Sequence, residues 1–366
     1  MKQLFNGIYH NQTVLVTGHT GFKGSWLIYW LEQMGANVIG YSIDTLITPN
    51  HYDLIKPNII SIKGDIRDQK KLDETFEEYK PTIVFHLAAQ ALVRLSYKEP
   101  VETYEINVMG TLKVLEACRK SKSVRAIVAI TSDKVYENKE WLWGYRENDA
   151  IGGYDPYSSS KGAVELLIAS YRNSYFNSDD YGTKHHILLS SARAGNVIGG
   201  GDWGEDRLLS DIMRATSRGD KVEIRSPNAI RPWQHVLEPL SGYLQLGQKL
   251  LEEKISYGDA WNFGPSDYDN LSVIEVIELS KKYWDKIDCT IINEVETVHE
   301  AKLLQLDCNK AKILLSWHSV WSYTSTFKKT IEWYKSYYDN KKINTADDFE
   351  NYIKDAKAKK LAWSIT

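Results

Sequence analysis

The chain is poor in cysteine, in net charge and in long apolar runs, and each shortage removes a class of function. Its three cysteines, Cys118, Cys289 and Cys308, are odd in number and far apart in a chain of 366 residues. They give neither a disulfide framework nor a metal-ligand spacing, so a reducing compartment and no metal are expected. A net charge of -3 leaves no broad basic surface for nucleic acid or for a membrane. No stretch approaches the ~20 apolar residues of a membrane span. The N-terminus also lacks the charged and apolar regions of a signal peptide, which points to a cytoplasmic protein. What the length does allow is a large core, in two domains or in one domain with a lobe.

Within that frame the chain is organised around Ile130 to Lys161. A short apolar run, Ala126 to Ile130, ends in Thr131-Ser132-Asp133-Lys134, and Tyr157-x-x-x-Lys161 follows. A tyrosine phenol titrates near pH ~10 and is a poor base at neutrality. A lysine one helical turn later lies on the same face, where its ammonium can stabilise the phenolate and lower that pKa. Ser132, delivered from the end of a neighbouring strand, would hold the substrate oxygen that Tyr157 deprotonates. Together these groups read as a hydride-transfer site. The same spacing recurs at Tyr52/Lys56, Tyr337/Lys341 and Tyr338/Lys342, but those pairs have no strand ending in Ser/Thr/Asp upstream. Asp155-Pro156 and the serines Ser158, Ser159 and Ser160 frame Tyr157 as a loop entering a helix over Lys161 to Tyr171.

Nearer the N-terminus, the β-branched run Thr13 to Val16 breaks into Gly18-His19-Thr20-Gly21-Phe22-Lys23-Gly24 and then into an apolar helix, Ser25 to Met34. Glycines let backbone N–H groups approach a pyrophosphate, and the helix N-terminus adds positive dipole. Gly18, Thr20, Gly21, Phe22, Lys23 and Gly24 are therefore candidates for holding a dinucleotide. A second strand, Asn37 to Ile43, ends at Asp44. A carboxylate there would hold the adenosine ribose and repel a 2′-phosphate, favouring NAD over NADP; the alternative is a cap or loop charge. Asp65 and Ile66, after a strand at Ile59 to Ile62, and Leu87, Ala88, Ala89 and Gln90, closing the strand Thr82 to Leu87, complete the cofactor side. Asn107 is grouped with them; it lies in a helix expected over Val101 to Cys118 and, facing inward, should bond a neighbouring backbone group. The alternation of strands and helices predicts right-handed βαβ units in an α/β, Rossmann-type, doubly wound parallel sheet with ligands at the strands' carboxyl ends.

After the strand Ile187 to Ser191 the alternation stops. The expected division is a dinucleotide-binding domain over 1–190 that carries the catalytic residues, and a smaller C-terminal α/β lobe over 191–366 with some segments returning to the first. Arg207, Arg214, Arg218, Arg225 and Arg231 are interleaved there with Trp203, Trp233 and His235. Arginine forks bind diphosphates and aromatic faces stack on bases. Candidate substrate-binding residues are accordingly Arg193, Asn196, Arg207, Arg231, Trp233, Gln234 and His235, with His19 from the glycine turn. Arg214 and Arg218 read as exposed helix charges. Ser272 and Glu275 form a capping box, two more helices are expected over Cys308 to Leu315 and Thr326 to Tyr337, and the charged segment Asn340 to Thr366 is either a peripheral helix or partly disordered.

With these motifs assembled, the chain resembles the extended short-chain dehydrogenase/reductase family, in its nucleotide-sugar 4,6-dehydratase branch. The resemblance runs from Gly18-His19-Thr20-Gly21-Phe22-Lys23-Gly24-Ser25-Trp26 through Thr131-Ser132-Asp133-Lys134-Val135-Tyr136 to Arg231-Pro232-Trp233-Gln234-His235-Val236 and Trp261-Asn262-Phe263-Gly264-Pro265. At His19 and Lys23 the branch acting on CDP-glucose is similar to this chain. The resemblance implies a retained NAD, oxidation of the sugar at C4 with Tyr157, Lys161 and Ser132 acting together, loss of water across C5 and C6 with Asp133 as acid, and return of the stored hydride to C6. CDP-D-glucose would become CDP-4-dehydro-6-deoxy-D-glucose, a deoxysugar precursor for a cell-surface polysaccharide. Where the wider branch carries an Asp-Glu pair, this chain has Lys134 as the second member. Lys134 could act as the C5 base only with a pKa lowered by its surroundings; otherwise it would stabilise an enolate. The resemblance implies a homodimer or homotetramer, commonly built by packing helices into a bundle between subunits; the candidates are Val101 to Cys118 and Ser160 to Tyr171, the alternative being that their apolar faces pack on their own sheet. The alternatives on the same scaffold are a 4-epimerase or reductase, which needs no Asp133, and a non-catalytic NAD-binding regulator.

Overall fold

The computed structural model describes all residues except 46, 225–226, 266–270, 293–302 and 366, together with the side chains of 230 and 231. Its centre is a seven-stranded sheet formed by β1 (Thr13–Thr17), β2 (Asn37–Ser42), β3 (Ile60–Lys63), β4 (Ile83–His86), β5 (Ala126–Ile130), β6 (Leu188–Ala194) and β7 (Ala260–Phe263). The spatial order is β7-β6-β5-β4-β1-β2-β3, and every pairing is parallel. Chain order reverses between β1 and β4, the switch point where such sheets open a crevice for a ligand.

The inner strands are apolar because both faces are covered. Val14 and Val16 point into a core with Trp26, Trp30, Leu240 and Leu244. Leu15, between them, points into a second core with Leu72, Val114 and Ile168. The first layer comes from α1 (Phe22–Gln33) and a later helix, Leu237–Leu251. The second comes from α2 (Gln69–Tyr79), α3 (Thr111–Lys120) and α4 (Pro156–Ser174). Beyond β6 come α5 (Leu208–Arg218), α6 (the helix Leu237–Leu251), α7 (Val273–Lys281), α8 (Tyr323–Asn340) and α9 (Thr345–Ala358). α5, α7 and α8 share a third core around Ile212, Val276, Phe327 and Trp333. α6 packs under β5 and β6, and β7 pairs with β6, so these late segments return to the central sheet.

Three expected boundaries move, each for a local reason. The helix expected from Lys161 starts at Pro156, because Asp155 caps it by accepting the Ser158 N–H at 2.9 Å and proline suits its first turn. Tyr157 therefore sits inside the helix, not in the loop before it. The helix expected over Val101 to Cys118 is interrupted by a π-helical turn, Glu105–Gly110, which carries Asn107 inward. The charged C-terminal segment contains the ordered helix α9, whose Phe349 and Tyr352 are buried; beyond it Trp363 stacks on Phe5 at 5.2 Å. The capping box stands as read, with Ser272 and Glu275 bonding each other's backbone N–H groups. Among the described residues no helix is long and apolar enough to cross a membrane.

Candidate active site

The glycine turn forms a cradle that only glycine permits. Gly18 has φ +73, and a Cβ there would meet the backbone N of Ala88 at 2.8 Å; a Cβ on Gly24 would meet the Gly18 carbonyl oxygen at 2.1 Å. α1 begins at Phe22 with Gly21 before it, no side-chain cap and no acidic residue in its first turn. Its N–H groups and positive dipole end are thus left for an anion. This arrangement fits the pyrophosphate of a dinucleotide. The facing turn is fixed from below: the N–H groups of Leu87 and Ala88 both donate to the Thr17 hydroxyl at 3.2 Å, and Thr17 bonds His86 Nδ1 at 2.7 Å. Asn107 holds Gln90, two residues beyond Ala88, accepting its N–H at 2.8 Å and donating to its carbonyl at 3.0 Å and to Ser160 Oγ at 2.9 Å. Ala89 is half-buried in the same turn, and the Gln90 side chain donates to Thr103 Oγ1 at 2.9 Å.

Farther along the crevice, Thr20 Oγ1 meets Ser42 Oγ at 2.8 Å at the end of β2. Asp44 stands exposed just beyond, ion-paired with Lys63. Asp65 is gripped by Arg67, Nη2 to Oδ2 at 2.6 Å, which holds its carboxyl below the usual range. Ile66 is buried, with its Cδ1 2.5 Å from where a Cβ on Gly110 would stand. His19 does not face the sugar end. Its ring covers Gly40 of β2, its Nε2 bonds Ser61 Oγ of β3 at 2.7 Å, and burial lowers its pKa to about 4. The substrate-binding expectation for His19 is corrected: its size directs it under the turn toward β2 and β3.

Ser132, Asp133 and Tyr157 converge at the carboxyl end of β5. Ser132 Oγ donates to Asp133 Oδ1 at 3.0 Å and accepts the Lys134 N–H at 3.2 Å. Asp133 Oδ2 lies 3.0 Å from where a Cβ on Gly195 would stand, so glycine at 195 keeps room for the carboxyl. Burial raises the Asp133 pKa, while Lys134, Ser132 and Lys23 act against it. The Tyr157 N–H donates to Ser96 Oγ at 3.1 Å. Burial pushes the Tyr157 phenol up to about 12, the neighbouring Asp133 adds to this, and Ser132 and Arg207 pull it down. The expected lowering by Lys161 is thus not the balance found in the protein alone. Lys161 Nζ reaches the Ile130 carbonyl at 3.5 Å, and burial followed by Lys23 lowers its pKa to about 8. Lys23 is itself lowered to about 8 by burial and by Arg207, against Asp133 and Asp202.

The lobe contributes less than its aromatic and basic content suggests. Arg207 is brought to Tyr157, steadied by Asp202 at 2.5 Å. Arg193 points under the sheet end and pairs with Glu165 at 2.8 Å, both buried, so its fork is already occupied and the substrate-binding expectation is corrected. His235 is fully buried, edge-on to Trp321 at 4.7 Å, and lowered to about 3 by burial; it too is a packing residue. Trp233 packs edge-on to Phe327 at 5.9 Å, and Gln234 Nε2 donates to the Phe263 carbonyl at 2.9 Å. Asn196 is half-buried and its carbonyl accepts the Gln234 N–H at 3.0 Å. The side chains of Arg231 and Arg225 lie outside the described residues. The reading of the sequence missed Glu165, although its place one turn beyond Lys161 marks it as sharing the Tyr157–Lys161 face of α4.

The sheet, the glycine cradle and the Ser-Tyr-Lys cluster define a Rossmann-type protein built to act on a ligand at its switch point. A family model described as GDP-mannose 4,6 dehydratase matches residues 15–330, and the chain belongs to that family. It is 49% identical over 331 residues to the CDP-glucose 4,6-dehydratase of Salmonella typhimurium, covering 90% of this chain and 92% of the relative. Among solved structures, an epimerase from Methanothermobacter thermautotrophicus superposes with a TM-score of 0.79 at 25% identity, covering 90% of this chain and 94% of that one. The dTDP-glucose 4,6-dehydratase of Bacillus anthracis in complex with NAD superposes at 0.75 with 20% identity, covering 90% and 98%.

Proposed function

We propose that the protein is a nucleotide-sugar 4,6-dehydratase that converts CDP-D-glucose to CDP-4-dehydro-6-deoxy-D-glucose and water, with NAD as its retained cofactor. The observation that carries this reading is a buried carboxyl, Asp133, with a raised pKa, beside the phenol of Tyr157. An epimerase at the same carbon needs no acid for a second hydroxyl. The 49% identity to a CDP-glucose 4,6-dehydratase supports the same choice.

Held by the glycine turn Gly18 to Gly24 and the facing turn Leu87 to Gln90, NAD would supply a two-electron acceptor and donor and, when oxidised, a positive charge. The chain's own residues handle protons and orientation. Ser132 holds the sugar's 4-oxygen, and Tyr157 takes its proton once neighbouring positive charge has offset burial. The resulting ketone acidifies C5. Asp133, whose carboxyl burial raises above its ordinary pKa, gives its proton to the departing C6 hydroxyl. Lys134, adjacent to Asp133, stabilises the negative charge that develops on the C4 oxygen as a solvent water takes the C5 proton; Lys134→Ala should slow solvent-deuterium incorporation at C5 and spare C4 oxidation. Asp44, exposed at the end of β2, takes the ribose.

Val101 (75% exposed) on the helical segment before α3 and Leu166 (62%) on α4 support a homo-oligomer formed through these helices, testable by sedimentation of Leu166→Glu. Cys118, Cys289 and Cys308 form no disulfide among the described residues, which suits a cytoplasmic setting. The test of function is turnover of CDP-, dTDP-, UDP- and GDP-glucose, followed by the alkali-induced absorbance of a 4-keto-6-deoxy sugar. CDP-glucose should be preferred; a C4 epimer as product would refute the reading.

A further inference from the structure

The dehydratase reading leaves a buried charged group next to the site, Glu165, without a task. Glu165 stands one helical turn beyond Lys161 and two beyond Tyr157, so the three side chains share a face of α4. It is 2% exposed, and its carboxylate ties three elements together. Oε1 accepts the Thr131 hydroxyl at 2.5 Å, next to Ser132 at the end of β5. Oε2 accepts Ser191 Oγ and Arg193 Nη2, both from β6 and both at 2.8 Å. Arg193 is held from its other side, where Nη1 donates to Tyr136 Oη at 2.7 Å and to the Glu147 carbonyl at 2.9 Å. The carboxylate thereby fixes how far the Thr131-Ser132-Asp133 corner stands from the catalytic face of α4.

The same carboxylate is an electrostatic neighbour of Lys161. Around that ammonium stand Lys23 from α1, neutral His86 from β4, Glu165 from α4 and the Ile130 carbonyl from β5, with Arg193 of β6 behind Glu165; Tyr157 lies one turn before Lys161 on the same face of α4. Burial and Lys23 both disfavour the charged form of Lys161, and Glu165 opposes them. We propose that Glu165 is a positioning residue of the reaction, which keeps the Lys161 ammonium charged beside Tyr157 and sets the spacing of Ser132 from the phenol. The proposal rests on the dehydratase reading, since it needs a step in which Tyr157 gives up its proton while Lys161 keeps its own.

The test is kcat and KM for CDP-glucose against pH in the full-length enzyme with NAD. In Glu165→Gln the alkaline limb of kcat should move down by about 1 pH unit, a roughly tenfold loss on that limb, with KM changed less than about threefold. In Glu165→Asp, which keeps the charge, the limb should stay where it is in the wild type even if kcat falls. Because the amide leaves Arg193 unpaired and threatens folding, Glu165→Leu combined with Arg193→Leu provides a second reading; its limb must also move down. An unmoved limb in either folded variant, or an equal shift in Glu165→Asp, overturns the proposal. Wild-type enzyme that does not turn over CDP-glucose would instead overturn the function, and the two failures are told apart by that control.

Discussion

The site has two halves of unlike construction. The half carried by the sheet, Ser132, Asp133, Tyr157 and Lys161, sits at a strand end and on one helix face: Ser132 bonds Asp133 and the Lys134 N–H, the Tyr157 N–H bonds Ser96 Oγ, and Thr131 beside Ser132 is tied to Glu165. The half expected from the lobe is mostly packing: His235 and Trp233 are wedged among aromatics, and Arg193 serves Glu165. Of its described side chains, Arg207 is the one brought to Tyr157. Chemistry that needs fixed distances is placed on the rigid sheet, while the lobe supplies a cover whose polar groups chiefly satisfy one another.

That contrast can be broken or sharpened by substitution. The largest effect is expected for Tyr157→Phe, which should lower kcat by on the order of 10² to 10⁴-fold while nucleotide-sugar binding, measured by calorimetry, is retained. Arg193→Leu should act on the fold instead of on substrate affinity, costing about 3–5 kcal/mol in denaturant unfolding because Glu165 is left buried and unpaired. A raised KM with unchanged stability would return Arg193 to the substrate. Asp133→Asn should slow elimination by about 10²-fold and yet raise the melting temperature at pH 8. The sign follows from its pKa, raised chiefly by burial. The native state binds that proton more tightly than the unfolded chain, so stability falls as pH rises from the ordinary aspartate range through the native pKa, and the amide removes the loss. The smallest effect is expected for His235→Phe. It should cost about 1 kcal/mol for the bond from the Leu237 N–H, with KM within about twofold.

The same division governs what the sequence made legible. The sheet and the glycine turn were readable because apolar runs, glycine spacing and the Tyr-x-x-x-Lys pair are local patterns, and their residues meet at the switch point. Glu165 was not, because its partners come from β5 and β6 and no short window contains them. His235 misled because an aromatic, basic string reads alike whether it stacks on a base or fills a core; its burial between Trp26 and Trp321 is set by helix packing. The π-turn around Asn107 was foreshadowed by the polar residue and not by its spacing, since the extra residue per turn has no signature of its own.

The central claim, that this cleft removes water across C5 and C6 after oxidation at C4, is tested most directly by following a label through one turnover of CDP-glucose carrying deuterium at C4. The account predicts a 6-deoxy-4-keto product with that deuterium at C6 and, in light water, an unlabelled C5. Deuterium retained at C4 in a sugar that still carries its 6-hydroxyl would contradict it.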